Sequence, residues 1–138
     1  MQRFTLHPML AKDTIAIAEL PLCSLLMSND KQYPWFILVP RVHDIQDIYQ
    51  LDSAQQQQFL VESSQLSELL MQVFTGDKMN VAALGNICPQ LHVHHIVRYK
   101  TDASWPAPVW GKYPSVAYSE KEISEMKNKM LPAITSIF

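Results

Sequence analysis

The chain has 138 residues, 48% of them hydrophobic and 17% charged, with a formal net charge of −2. That length suits one domain able to bury about two-thirds of its unfolded surface, and the balance suits a folded chain and not a disordered one. The charge argues against a broad basic surface for a nucleic-acid polymer, while leaving room for a local anion pocket. In chain order, Thr14–Leu20 alternates β-branched and small residues and predicts a strand; Pro21 interrupts it before a second strand over Leu22–Met27. Ser28–Lys31 is turn chemistry between two apolar runs, which predicts a hairpin. Trp35–Val39 follows as a strand apolar on both faces, hence central in its sheet, and Pro40 ends it.

Ser53 and Gln56 stand at capping-box spacing, and Phe59, Leu60, Leu66, Leu69, Leu70 and Val73 recur at near-helical spacing to about Phe74. Gly76 sits just past this long helix, where a C-terminal cap belongs. Lys78–Leu84 returns to strand character, Gly85 and Asn86 break it, and Leu91–Tyr99 is the next strand. Asp102–Pro114 is a loop with three prolines and two tryptophans. Ser119 and Glu122 repeat the capping-box spacing and open a C-terminal helix expected to end near Pro132. The order predicts an α+β fold over residues 1–138: a mostly antiparallel sheet, one long helix and a C-terminal helix.

Cys23 and Cys88 lie far apart without CxxC spacing, which argues against a disulfide scaffold or zinc ribbon and fits a reduced compartment. Met1–Leu10 holds one Arg and a broken apolar run, so no signal peptide is expected. The longest apolar runs are too short to span a bilayer. The expected setting is cytoplasmic, with no membrane partner.

Three of the five histidines fall within Gln90–Arg98. On a strand, Gln90, His92, His94, Ile96 and Arg98 share one face, and Leu91, Val93, His95 and Val97 share the other. The second set makes a core face with His95 as its misfit. The first holds an amide, two imidazoles that titrate near neutral pH and a guanidinium. Three readings of that row stand. It is the solvated side of an edge strand, although such strands favour Thr, Lys and Glu over paired His. It is a metal site, which needs a third ligand, although the nearby sequence supplies no Cys, Asp or Glu on that face; no metal and no cofactor is expected. Or a histidine acts as nucleophile, with neighbours supplying hydrogen bonds and charge.

The segment resembles the histidine triad superfamily of nucleotide hydrolases and transferases, whose motif sets three histidines on one strand between apolar residues. Aligning the trailing apolar pair places Gln90, His92 and His94 at the three triad positions, so Gln replaces the first His and His95 fills a slot that is usually apolar. Gly85 and Asn86 fall where the family commonly has Gly-Gln, and Val39–His43 looks like its Val-Pro-Lys-x-His segment. The likeness covers roughly residues 5–100. Together with Trp105–Gly111, these motifs resemble a bacterial subgroup often described as diadenosine tetraphosphate hydrolase-like.

The resemblance implies nucleotidyl transfer through His92, which attacks an α-phosphate and carries the nucleotidyl group before water or another acceptor takes it. It implies that His94 donates hydrogen bonds to phosphate oxygens, that His43 orients an imidazole or protonates the leaving group, and that Asn86 offers an amide to substrate oxygens. Gln90 cannot exchange protons as His does but can position a neighbouring imidazole. A nucleotide or dinucleoside polyphosphate is the implied substrate, and a homodimer the implied assembly. A different class of function on the same fold, a non-catalytic nucleotide-binding module, is kept open by Gln90 and His95.

Other residues have plainer readings. Trp105 and Trp110 stack on a base or a partner chain, or pin the loop to the sheet. Arg98 lies roughly 20 Å beyond His92 at strand rise, which favours a structural ion pair. Cys88 reads as a packed thiol, His7 as a surface residue, Gln55–Gln58 as a helix start and the seven methionines as core filler.

Overall fold

The computed structural model describes residues 3–138; Met1 and Gln2, part of the stretch read for a leader, lie outside the described residues. Five strands form one antiparallel sheet: β1 (Thr14–Glu19), β2 (Cys23–Ser28), β3 (Trp35–Pro40), β4 (Lys78–Ala82) and β5 (Val93–Arg98), in the order β1-β2-β3-β5-β4. The expected α+β class holds. β3 is central, as its doubly apolar pattern requires, and pairs with β5 so that Ile37 stands opposite His94 and Phe36 opposite His95.

Three α-helices accompany the sheet: α1 (Pro8–Asp13), α2 (Ser53–Phe74) and α3 (Glu120–Ile137). Strand alternation divides the core in two. Leu25 and Met27 of β2, Phe36 and Leu38 of β3, and Val93 and Val97 of β5 face α2 and α3, where Phe59, Leu66, Leu70, Met130 and Ile134 close on them. On the other face, Leu10, Leu26, Ile37, Val39 and Cys88 pack beneath the N-terminal segment with Phe4 and Leu6. Farther along that face, Tyr33, Ile96 and Val109 pack beneath the loop that follows β5, with Trp35 and Trp110. Two separate covers thus lie on one sheet face, and a gap remains between them.

Several local expectations shift. α2 is capped by Asp52, whose carboxylate accepts from Gln55 N at 2.8 Å while Gln55 Oε1 accepts from Asp52 N, so the capping box sits one residue before Ser53–Gln56. A carboxylate beside a hydroxyl takes the cap and leaves Ser53 as the first helical residue. Thr75, not Gly76, turns left-handed (φ 51°). Gly76 is required for space instead: a Cβ there would meet Val97 Cγ1 at 2.3 Å, so it lets the helix end close on β5. β4 stops at Ala82, short of Leu84, as the chain turns toward Gly85 at φ 65°.

β5 is shorter than Leu91–Tyr99 because Leu91 N bonds to Ile45 O in a loop and Tyr99 N turns to Asp102 Oδ2. Helix α3 has the expected Ser119–Glu122 box but runs through Pro132. Pro132 and Asn128, whose carbonyl loses its donor, are both exposed, while Met130 and Ile134 anchor the helix on its buried side. α1 is absent from the sequence reading. Pro8 occupies its first turn and the His7 imidazole caps it by accepting from Met9 N, so His7 is half-buried and structural. No helix among the described residues is long and apolar enough to cross a membrane.

Candidate functional site

The gap between the two covers is a cavity of about 630 Å³, within the range of small-molecule sites. His92 and His94 line it with Trp35, Trp110, Asn86 and Lys12. Both imidazoles are more than nine-tenths buried, at 8% and 7% exposure, and their ring centres stand 5.1 Å apart.

Local backbone chemistry sets the first ring. His92 Nδ1 lies 2.7 Å from the Gln90 carbonyl oxygen. A carbonyl only accepts, so Nδ1 carries the proton and the neutral ring keeps its lone pair on Nε2. His94 sits on β5 itself, where its Nδ1 meets the indole N–H of Trp35 at 2.9 Å. Burial, then the neighbouring His92 and His95, depresses the His94 pKa from 6.5 to about 3, so this ring is neutral at pH 7.

The other residues singled out from the sequence divide clearly. Asn86 is exposed at the cavity rim, just after Gly85. Trp110 stands edge-on to His94 (ring centres 5.2 Å) and to Trp35 (5.9 Å), so it lines the cavity. Trp105 instead faces Arg98, whose guanidinium carbon lies 5.6 Å from the ring centre. Gln90 turns its amide to the N-terminal segment, accepting from His7 N at 2.8 Å and donating to Thr5 O at 2.9 Å. His43 is exposed beside Phe4, 6.2 Å between ring centres, and is not among the residues lining the cavity. Of the triad row, the cavity therefore gathers His92 and His94, while the Gln90 side chain clamps one of the covers.

Arg98 holds the other cover. At 1% exposure it donates to Asp102 Oδ1 and Oδ2, to Asn80 Oδ1 and to the Ala107 carbonyl, all at 2.9–3.0 Å. The structural ion pair expected of Arg98 is present, and it fixes the loop that presents Trp110. Burial alone would raise the Asp102 pKa, but the Arg98 hydrogen bond, the Tyr99 N–H, the Arg98 charge and the Trp105 N–H together outweigh it and hold the carboxyl below its usual range.

His95, the misfit on the core face, is fully buried and bonded on both nitrogens, to Ser63 Oγ at 2.7 Å and to Val93 O at 3.0 Å. It belongs to the core. Cys88 is buried as expected and also borders the cavity. Sequence reasoning missed Trp35 and Lys12. Trp35 reads as an ordinary strand residue until the β3–β5 register sets it diagonally across from His94, and Lys12 belongs to the helix that was not foreseen.

Comparison with known proteins agrees with this geometry. The family model for the HIT domain matches residues 10–101. A histidine triad protein from Marinobacter aquaeolei VT8 superimposes with a TM-score of 0.96 at 53% identity, covering 99% of this chain and 100% of that one. One from Bradyrhizobium japonicum gives 0.93 at 42% identity over 99% and 100%. One from Sinorhizobium meliloti 1021 gives 0.92 at 36% over 94% and 96%. No curated protein matches the chain. Fold, histidine row and these likenesses converge: the chain belongs to the histidine triad (HIT) family, a nucleotide-binding fold.

Proposed function

We propose that the protein transfers a nucleotidyl group from a nucleotide substrate to water or another acceptor through a covalent intermediate on His92. One observation carries this reading: the bond from His92 Nδ1 to the Gln90 carbonyl leaves the Nε2 lone pair available in a cavity shared with His94. In the first step, that lone pair attacks the α-phosphorus. The N–P bond forms, the P–O bond to the leaving group breaks, and the departing phosphate takes its electron pair. In the second step, the acceptor oxygen attacks phosphorus and gives up its proton, and the N–P electron pair returns to Nε2.

His94, neutral at pH 7, donates to a non-bridging oxygen as charge builds there. Lys12 brings a cation to the rim and Asn86 an amide, while Trp35 and Trp110 offer faces for a base. Dinucleoside polyphosphates suit this layout, with one nucleotidyl group in the cavity and the remainder as leaving group. A homodimer in the cytoplasm is the setting that goes with this reading.

A second reading, nucleotide binding without turnover, draws on Gln90 and His43, since neither side chain lines the cavity. One experiment separates the two. The protein is mixed with a panel of dinucleoside polyphosphates and nucleoside phosphoramidates, quenched rapidly, and searched for nucleotidyl-His92 by mass spectrometry. An adduct with released monophosphate supports transfer. Saturable binding with neither adduct nor product supports the binding module.

A further inference from the structure

A donor must carry its proton on the correct atom, and an imidazole has two to choose from. The indole N–H of Trp35 is a donor with no acceptor capacity, and it lies 2.9 Å from His94 Nδ1. Nδ1 must therefore accept, which leaves the single proton of the neutral ring on Nε2. The contact also fixes the ring plane, with Trp35 and His94 edge-on at 5.6 Å between centres. Trp110 closes the third side, edge-on to both rings.

We propose that Trp35 is a positioning residue that locks His94 in the Nε2–H tautomer and keeps Nδ1 from taking a second proton. This role rests on the nucleotidyl-transfer reading for its use, but the lock belongs to the resting protein. Protonating His94 at Nδ1 requires expelling the indole N–H. The charged and titratable groups around this ring are His92 beside it and His95 on the opposite face of β5, with Lys12, Asp13 and Cys88 on other walls of the cavity. None of these is shown donating a hydrogen bond to Nδ1, so Trp35 is the donor that occupies its lone pair among the described residues.

The sequence hides this device. Trp35 begins a strand whose pattern is explained by burial alone, and only the antiparallel register with β5 brings the indole to the imidazole.

The test is 15N NMR of the histidine side chains without substrate, in wild type and Trp35→Phe, with Trp110→Phe as control. Benzothienylalanine at position 35, which replaces N–H by sulfur at constant shape, covers the case where Trp35→Phe does not fold. In wild type, His94 should show one tautomer, protonated on Nε2, with Nδ1 displaced as a hydrogen-bonded acceptor. Loss of the indole donor should abolish that displacement and raise the His94 titration by about one pH unit. Trp110→Phe should keep the hydrogen-bonded Nδ1 signal. A proton on Nδ1 in wild type, or an unchanged His94 signal without the indole N–H, overturns the lock. A missing nucleotidyl adduct with these spectra intact counts against nucleotidyl transfer and not against the lock.

Discussion

His94 and His95 are consecutive residues on β5, both less than a tenth exposed, and they face opposite sides of the sheet. Burial lowers both pKa values, to about 3 for His94 and about 4 for His95. What separates them is how their nitrogens are spent. His95 gives one to Ser63 and the other to the Val93 carbonyl, so it is a satisfied core residue. His94 gives Nδ1 to Trp35 and presents its remaining nitrogen within a cavity that also holds His92. Burial and a shifted pKa therefore mark both histidines alike, and only the unspent nitrogen beside a cavity marks a site.

The strongest way to break that comparison is at His92, the nucleophile we propose. His92→Ala should cut turnover by about three orders of magnitude or more while nucleotide binding and the unfolding midpoint persist, because it removes the covalent route and not a positioning contact. Steady-state kinetics and calorimetry on the same preparation check this. Turnover within tenfold of wild type would sink His92 as nucleophile.

Next comes the pair itself. His94→Ala should lower kcat by about a hundredfold, the scale of one lost donor to a developing oxyanion. His95→Leu should leave kcat per folded molecule within about twofold but cost about 2 kcal/mol of stability, since the Ser63 hydroxyl is stranded in the core. Urea unfolding with an unchanged slope measures the second cost. If His95→Leu slowed the chemistry as much as His94→Ala, the two faces of β5 would not be separate in function.

Acid should act on both faces together. Each ring binds a proton less readily folded than unfolded, where the pKa is 6.5. Above that value neither state is protonated and the full stability is present. As pH falls below 6.5, the unfolded chain takes up protons that the folded chain refuses, and stability drops until the folded values, near 4 and 3, are reached. The loss is on the order of 1 kcal/mol per pH unit for each ring. Unfolding midpoints at pH 7 and pH 5 test this, and His95→Leu should remove about half of the difference.

Features that depend on neighbours in sequence were legible. The hairpins around Ser28–Lys31, the Phe59–Val73 stripe and the Ser119 cap each follow from spacing within a few residues. So did the row that brings His92 and His94 together, because strand period is local. Features that depend on distant partners were not legible. Gln90 shares the triad face in sequence, yet Thr5 and His7, more than eighty positions away, claim its amide. His95 looked misplaced until Ser63 on α2 supplied a partner. α1 stayed hidden because six residues carry no periodicity and an imidazole is an unusual cap. Pro132 looks like a stop in sequence because its exposure, and that of Asn128, is settled only by how α3 docks.

The smallest expected effect sharpens the comparison between the strand and the loop beside it. Trp110 reaches the cavity from a segment held by Arg98, and its ring touches His94 and Trp35 without a hydrogen bond to either. A ring that contributes area but no donor to the reacting atoms should help bind substrate more than it helps chemistry. Trp110→Ala should therefore raise KM by about three- to tenfold, while single-turnover chemistry on bound substrate changes by less than about fivefold, or ~1 kcal/mol. Rapid-quench kinetics at saturating substrate separates the two quantities. A sharp fall in the chemical step at unchanged KM would mean that His94 depends on Trp110 for its orientation. The packing of the loop, and not the Trp35 hydrogen bond alone, would then hold the imidazole in place.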